Sequence, residues 1–295
     1  QLVGNAKTFA MLRQFFGAKA PTDDRLLEVG EGETLPLGAH TLHFMLAPMV
    51  HWPEVMVAYE ETEKILFSAD AFGRFGSLGR TANAPWAPQA RRYYYNIVGK
   101  YGAQVQALLK KASALEIETI CPLHGPVLTG EALGEALRLY DLWSRWQSES
   151  PDDILLAHAS IHGNTARAAE LLKQKLEAKG ARVTLCDLTT TEVSYAVANA
   201  FYCGKLVLAC STYDGGLFPP MEEFLTHLQA KGFRDRSVGL MENGSWAPAA
   251  ARLMRAKLEE MKDLRVCGTV VSLRSALSPA NEAQMDALTT ELCAE

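Results

Sequence analysis

Nowhere in the 295 residues does an apolar run approach the roughly 18 to 20 residues needed to span a bilayer. No charged-then-apolar leader opens the chain either, so the reading expects a cytoplasmic protein without a membrane partner. Lys and Arg number 29 against 34 Asp and Glu, a net charge of −5, and they are scattered rather than clustered. Without a basic face, nucleic acid is excluded as a partner. The six cysteines (Cys121, Cys186, Cys203, Cys210, Cys267 and Cys293) contain no C-x-x-C pair. That excludes a zinc knuckle, a rubredoxin-like centre and a redox dithiol. Several lie in apolar runs, such as Cys210 after Leu206-Val207-Leu208-Ala209, where a thiol serves as a small buried apolar group. Low-complexity tracts and internal repeats are also lacking, and 48% hydrophobic against 21% charged residues fits a globular protein.

The length predicts two units, since compact domains usually hold about 100 to 200 residues. A polar stretch with a proline, Gln147 to Asp153, separates an aromatic helical run from a strand-like run. The expected domains are therefore residues 1–150 and 151–295. In the second, apolar runs Ile154–Ala157, Val183–Cys186, Leu206–Cys210, Val238–Met241 and Val266–Val271 alternate with amphipathic stretches. That alternation is the signature of an open parallel α/β sheet. Ala168, Leu172 and Leu176 share one helical face, and Gly180 follows as a stop. The first half predicts strands at Thr41–Leu46, Val55–Tyr59, Ile65–Ser68 and Ile117–Cys121, with helices at Ala6–Phe16 and Gln104–Ala112.

Three strand ends of the second half carry unusual loops. The first runs through Ser160, Ile161, His162, Gly163, Asn164 and Thr165 directly into a helix. Hydroxyls, a glycine and successive N–H groups at a helix start suit a phosphate monoester, although an ordinary N-cap turn has the same composition. The third loop is Ser211, Thr212, Tyr213, Asp214, Gly215 and Gly216; the fourth is Asn243, Gly244, Ser245 and Trp246. Each pairs glycine, which admits close backbone approach, with one aromatic able to cover a flat ring. Together they describe one crevice with a phosphate at one end and an isoalloxazine at the other.

In the first half His51, Asp70 and His124 each follow a strand-like run, whereas His40, His43 and His227 lack that context. Imidazoles and a carboxylate on neighbouring strand-end loops can ligate iron, zinc or manganese, and the carboxylate can bridge two ions. Singly, each is equally an ordinary hydrogen-bonded loop residue.

Ser160, Gly163, Asn164 and Thr165 match the Ser/Thr-x-x-Gly-Asn-Thr pattern of flavodoxins, so the second half resembles a flavodoxin-like doubly wound sheet of order 2-1-3-4-5 holding FMN. The surroundings of His51, Asp70 and His124, with Ser211 to Pro220, resemble the flavodiiron proteins, or A-type flavoproteins. These fuse a metallo-β-lactamase-like αββα domain to a flavodoxin domain in this order. The resemblance implies that His51 and His124 each ligate one of two iron ions bridged by Asp70. It further implies a head-to-tail homodimer that reduces dioxygen to water, nitric oxide to nitrous oxide, or both, with electrons from rubredoxin or a similar small donor relayed through FMN. The family's H-x-E-x-D-H motif does not occur in the sequence, and Val3 to Leu12 resembles the region just after it. The expectation is an N-terminally incomplete domain with part of the diiron site missing. The alternative is a metal-free flavodoxin-type electron-transfer protein.

Overall fold

The computed structural model describes residues 1–81 and 84–294. The chain packs as two units, Gln1–Arg145 and Trp146–Glu295.

The first unit begins with β1 (Leu2–Gly4), α1 (Ala6–Phe16) and β2 (Leu26–Glu28), and β1 and β2 form a separate parallel pair. The side chain of Asn5 accepts the Thr8 N–H at 3.1 Å and so fixes where α1 starts. There follow β3 (Thr34–Leu37), β4 (His40–Leu46), β5 (Met56–Glu60), β6 (Ile65–Phe67), α2 (Leu78–Thr81), α3 (Trp86–Tyr93), a π-turn (Tyr94–Val98) and α4 (Gly102–Ala112). The unit closes with β7 (Thr119–Cys121), β8 (Leu128–Thr129) and α5 (Gly130–Ser144). One sheet runs in the order β3-β4-β5-β6-β7-β8, antiparallel throughout except for the parallel pair β6 and β7. Hence β4, β6 and β7 point the same way, and their carboxyl ends meet at one edge of the sheet. Phe72, Tyr94, Tyr95, Tyr140 and Trp143 are fully buried and pack ring against ring, with Phe72 and Tyr140 centroids 4.3 Å apart. Rings of this size supply much of the buried apolar area in so small a unit.

The second unit alternates β9 (Ser150–Ala159), α6 (Asn164–Ala178), β10 (Val183–Asp187), α7 (Val193–Tyr202), β11 (Cys203–Tyr213), β12 (Gly216–Leu217), α8 (Pro219–Ala230), β13 (Arg236–Asn243), α9 (Ala250–Glu259), β14 (Leu264–Leu273) and α10 (Pro279–Cys293). The parallel order β10-β9-β11-β13-β14 is the 2-1-3-4-5 arrangement. Ile154 and Leu156 of β9, Val207 and Ala209 of β11 and Val271 of β14 bury one face of the sheet under Ala168, Leu172 and Leu176 of α6 and Met285, Leu288 and Leu292 of α10. The strands exceed their apolar runs, at both ends in β9, β11, β13 and β14 and at the carboxyl end in β10. β9 starts at Ser150, inside the polar stretch the sequence reading took as a boundary, because parallel pairing with β11 at Cys203 recruits polar residues into the ladder. No helix among the described residues is long and apolar enough to cross a membrane.

Candidate functional site

In a doubly wound sheet, ligands bind beyond the carboxyl ends where successive crossovers diverge. Here β9 is flanked by β10 and β11, and a cleft of about 470 Å³ opens beyond β9, β11, β13 and β14. All the loop residues singled out from the sequence line it except Gly163 and Gly216. Gly163 is instead the N-cap of α6 at φ +84, a left-handed position that suits glycine, and its N–H donates to the Ser160 hydroxyl at 3.1 Å. Gly216 pairs with Tyr213 in a short hairpin turned by Asp214 and Gly215 at φ +50 and +72. Two left-handed residues of the type Asp-Gly are the signature of a tight type I′ turn.

Much of the polar chemistry of the loops is spent on the loops themselves. Thr165 and Ser211 hydroxyls lie 2.8 Å apart and are buried. Thr212 Oγ1 accepts the N–H groups of Ala249 and Ala250 at 3.0 and 3.3 Å, so it terminates α9 rather than facing a ligand with a free hydroxyl. Glu242, buried, accepts from Ala251 N–H and from the Ser272 hydroxyl, both at 2.9 Å. Asn243 and Ser275 bond reciprocally: the amide donates to the Ser275 carbonyl at 3.0 Å, and the Ser275 N–H donates to Asn243 Oδ1 at 2.9 Å. The Ser245 and Ser275 hydroxyls are 2.7 Å apart. Ser275 therefore adds a wall from the fifth strand that the sequence reading missed; its surroundings, Arg274-Ser275-Ala276, carry neither glycine nor an aromatic. Trp246 remains 88% exposed and Tyr213 is half exposed, leaving two aromatic faces available at the mouth.

The first unit brings His51, Asp70 and His124 together. His51 Nε2 lies 3.2 Å from Asp70 Oδ2, and His124 Nε2 lies 3.2 Å from Asp70 Oδ1. The convergence follows from strand direction, because the three loops leave the parallel ends of β4, β6 and β7. The backbone then locks them. Ala47 N–H to the Val55 carbonyl at 2.8 Å closes the His51 loop. Leu123 N–H to the Ala69 carbonyl at 2.8 Å and Arg74 N–H to the His124 carbonyl at 3.0 Å tie the other two together. Met49, Ala69 and Phe72 hold left-handed φ of 64, 52 and 65 without being glycine, a costly conformation that concentrates where a loop must aim a side chain.

Tyr93, buried on α3, was not legible as part of this site. Its ring centroid is 5.8 Å from that of His124, and its hydroxyl bonds to Asp70. Burial first, then the Asp70 charge, push its ionisation well above the ordinary phenol range, so it stays a donor. Phe75, Leu78, Ile97 and Leu123 wall a cleft of about 610 Å³ over His51 and His124.

Two donors about 2.1 Å from one ion and at right angles lie about 3 Å apart, so each imidazole and its facing carboxylate oxygen are spaced as neighbouring ligands of one ion. Among the described residues no three His, Cys, Asp or Glu side chains surround a single point, so each ion of a bridged pair would find two ligands here.

A family model described as ODP family beta lactamase matches residues 3–125. An uncharacterized protein of Methanocaldococcus jannaschii is 26% identical over 231 residues, 77% of this chain and 57% of its own. A type A flavoprotein of Rhodobacter capsulatus is 25% identical over 241 residues, 79% of this chain and 55% of its own. The rubredoxin oxygen:oxidoreductase of Desulfovibrio gigas superposes with a TM-score of 0.89 at 21% identity, covering 99% of this chain and 73% of that structure. The chain spans about half the length of the curated relatives it matches. The class is thus a metallo-β-lactamase-like unit followed by a flavodoxin-like unit. Proteins of this two-unit arrangement among its relatives and structural neighbours include type A flavoproteins and flavodiiron proteins.

Proposed function

We propose that this chain belongs to a flavodiiron oxidoreductase that, at full length, reduces dioxygen to water, nitric oxide to nitrous oxide, or both. The observation that carries the reading is the double engagement of Asp70, one carboxylate oxygen to each imidazole at 3.2 Å. That donor set would suit non-haem iron, with His51, Asp70 and His124 the residues that would hold it. FMN would occupy the cleft of the second unit, its phosphate on the Ser160 to Thr165 loop and its ring beside Tyr213 and Trp246. When bound, flavin passes electrons singly or in pairs and iron supplies the reducing centre for a diatomic substrate. The chain's own residues do the rest. Asp70 fixes both imidazoles, Tyr93 holds Asp70 and keeps a proton beside it, and the apolar walls favour a small neutral molecule over water. A rubredoxin-like protein is the proposed donor, and a head-to-tail homodimer the working assembly.

The test is purified protein supplied with FMN and ferrous iron, assayed for both cofactors and for oxygen and nitric oxide consumption with a reduced rubredoxin-type donor. About one FMN and two irons per chain with consumption supports the proposal, and Asp70→Asn should lose iron while keeping flavin. Flavin without iron or consumption would overturn it in favour of a metal-free electron-transfer protein.

A further inference from the structure

A phosphate monoester brings close to two negative charges into its site. The cleft of the second unit offers it little fixed positive charge. Among the described residues that line the cleft there is no Lys or Arg, Asp214 is acidic, and the only side chain that can become a cation is His162. His162 is exposed at the third position of the loop that enters α6, between the Ser160 hydroxyl and the left-handed Gly163. It follows that amides and hydroxyls alone would hold the anion unless His162 is protonated.

We propose that His162 is the phosphate-sensing cation of this cleft: it selects the phosphorylated flavin over its unphosphorylated form, and only while the imidazole carries a proton. The inference rests on the flavin reading of the site. Binding a phosphate dianion beside His162 stabilises the imidazolium, so the bound state releases its proton at a higher pH than the free state. The affinity it contributes is present while the imidazole is protonated and is lost as pH rises through the bound-state value.

The other groups around the loop do not imitate this behaviour. Asp214, on the β11–β12 turn, is the one acidic side chain among the described lining residues, and the walls from β13 and β14 present the neutral Asn243, Ser245, Trp246 and Ser275. Arg167, exposed on the first turn of α6, does not line the cleft. His158, buried at the end of β9 with Nδ1 3.9 Å from Asp187 Oδ1, is held below the usual imidazole range by burial, against the pull of Asp187 and Glu170. It is unchanged in the variants below, as is the second ionisation of the phosphate itself, so comparing variant with wild type isolates His162.

Dissociation constants of FMN and riboflavin are measured by flavin fluorescence from pH 5.5 to 8.5 at constant ionic strength, on the full chain and on His162→Asn and His162→Arg, with far-UV circular dichroism as a folding control. For FMN, the ratio of the Asn variant to wild type should be about tenfold at pH 6 and fall to about one by pH 8.5, since each unit of coupled shift is a tenfold change. For FMN, the ratio of the Arg variant to wild type should be near one at pH 6 and fall to about one tenth by pH 8.5, and the riboflavin ratio should stay near one throughout. An FMN ratio that is flat with pH, or a matching change for riboflavin, overturns the role of His162 while leaving the flavin site standing. Wild type that binds neither flavin at any pH brings down the flavin reading and this inference together.

Discussion

Glu242 ties α9 to β14 beside the cleft of the second unit, and replacing it by Ala gives a calculable result. The buried carboxylate accepts the Ala251 N–H at the start of α9 and the Ser272 hydroxyl on β14, each at 2.9 Å. Truncation leaves the hydroxyl free to rotate toward another acceptor, but the Ala251 N–H is fixed by the helix and is stranded. A lost helix-start acceptor costs about 1 kcal/mol, and a hydrogen bond to a charged group about 1.5 to 3 kcal/mol. A net loss of about 2 kcal/mol in the second unit is expected. With a urea dependence of about 2 kcal/mol per molar for a unit of this size, the unfolding midpoint should fall by about 1 M. Because the chain has two units, the transition is followed by amide exchange in peptides from β13 and α9, which report this unit alone. Glu242→Gln keeps an acceptor for Ala251 and should recover most of the loss. The reasoning is refuted if Glu242→Ala moves the midpoint by less than about 0.3 M, or if Gln is as damaging as Ala.

Two further outcomes are expected. A methyl group on Gly73 would sit 3.0 Å from the Asp70 carbonyl, 3.3 Å from that of His124 and 3.2 Å from the Tyr93 ring. Two of these neighbours are backbone that cannot yield, so Gly73→Ala should cost about 1 to 3 kcal/mol in the first unit and weaken iron uptake at least tenfold without touching flavin affinity. Equal iron content in variant and wild type would sink that account. At Glu60, burial would raise the carboxyl, but the N–H groups of Glu63 and Thr62 and the His40 ring outweigh it and hold the group at about 2 against an ordinary 4.5. A folded value below the unfolded one means the stabilisation is present above pH 4.5 and disappears as pH falls toward 2. Thermal melts should therefore show a smaller loss between pH 5 and 3 for Glu60→Gln than for wild type, and identical acid losses would contradict it.

The elements that sequence exposes best are those whose ends are written in side chains. α1 runs over Ala6–Phe16 as expected because Asn5 caps it, whereas β3 and β8 escape notice because four and two residues are too few to show a period. The helical stretch from Trp86 to Val98 escapes too, since Arg91-Arg92-Tyr93-Tyr94-Tyr95 presents charge and aromatics without an apolar stripe. Its burial depends on rings from α5 and the Asp70 loop that are distant in sequence. That is also why Tyr93 could not be assigned: its role exists only through contact with Asp70 and His124, 23 and 31 residues away. His51, Asp70 and His124 were visible singly, but their meeting depends on the parallel sense of β4, β6 and β7, which no local pattern encodes.

The cleft of the second unit shows a division of labour that composition hides. Ser, Thr and Asn in its loops look alike as potential ligand groups, yet Thr212 and Glu242 anchor α9, Asn243 and Ser275 fasten the fourth and fifth strand ends together, and Thr165 and Ser211 join the first to the third. The Asp214-Gly215 turn stiffens the hairpin between them. A framework satisfied from within loses little further freedom on binding, which is how preorganisation favours affinity. What it leaves for a ligand is small and well defined: the N–H groups at the start of α6, the exposed faces of Tyr213 and Trp246, and the imidazole of His162. The amides are fixed and neutral and the aromatics recognise any flat ring. Under the proposal made above, discrimination by charge falls to His162, the one side chain among the described residues lining this cleft that can become a cation.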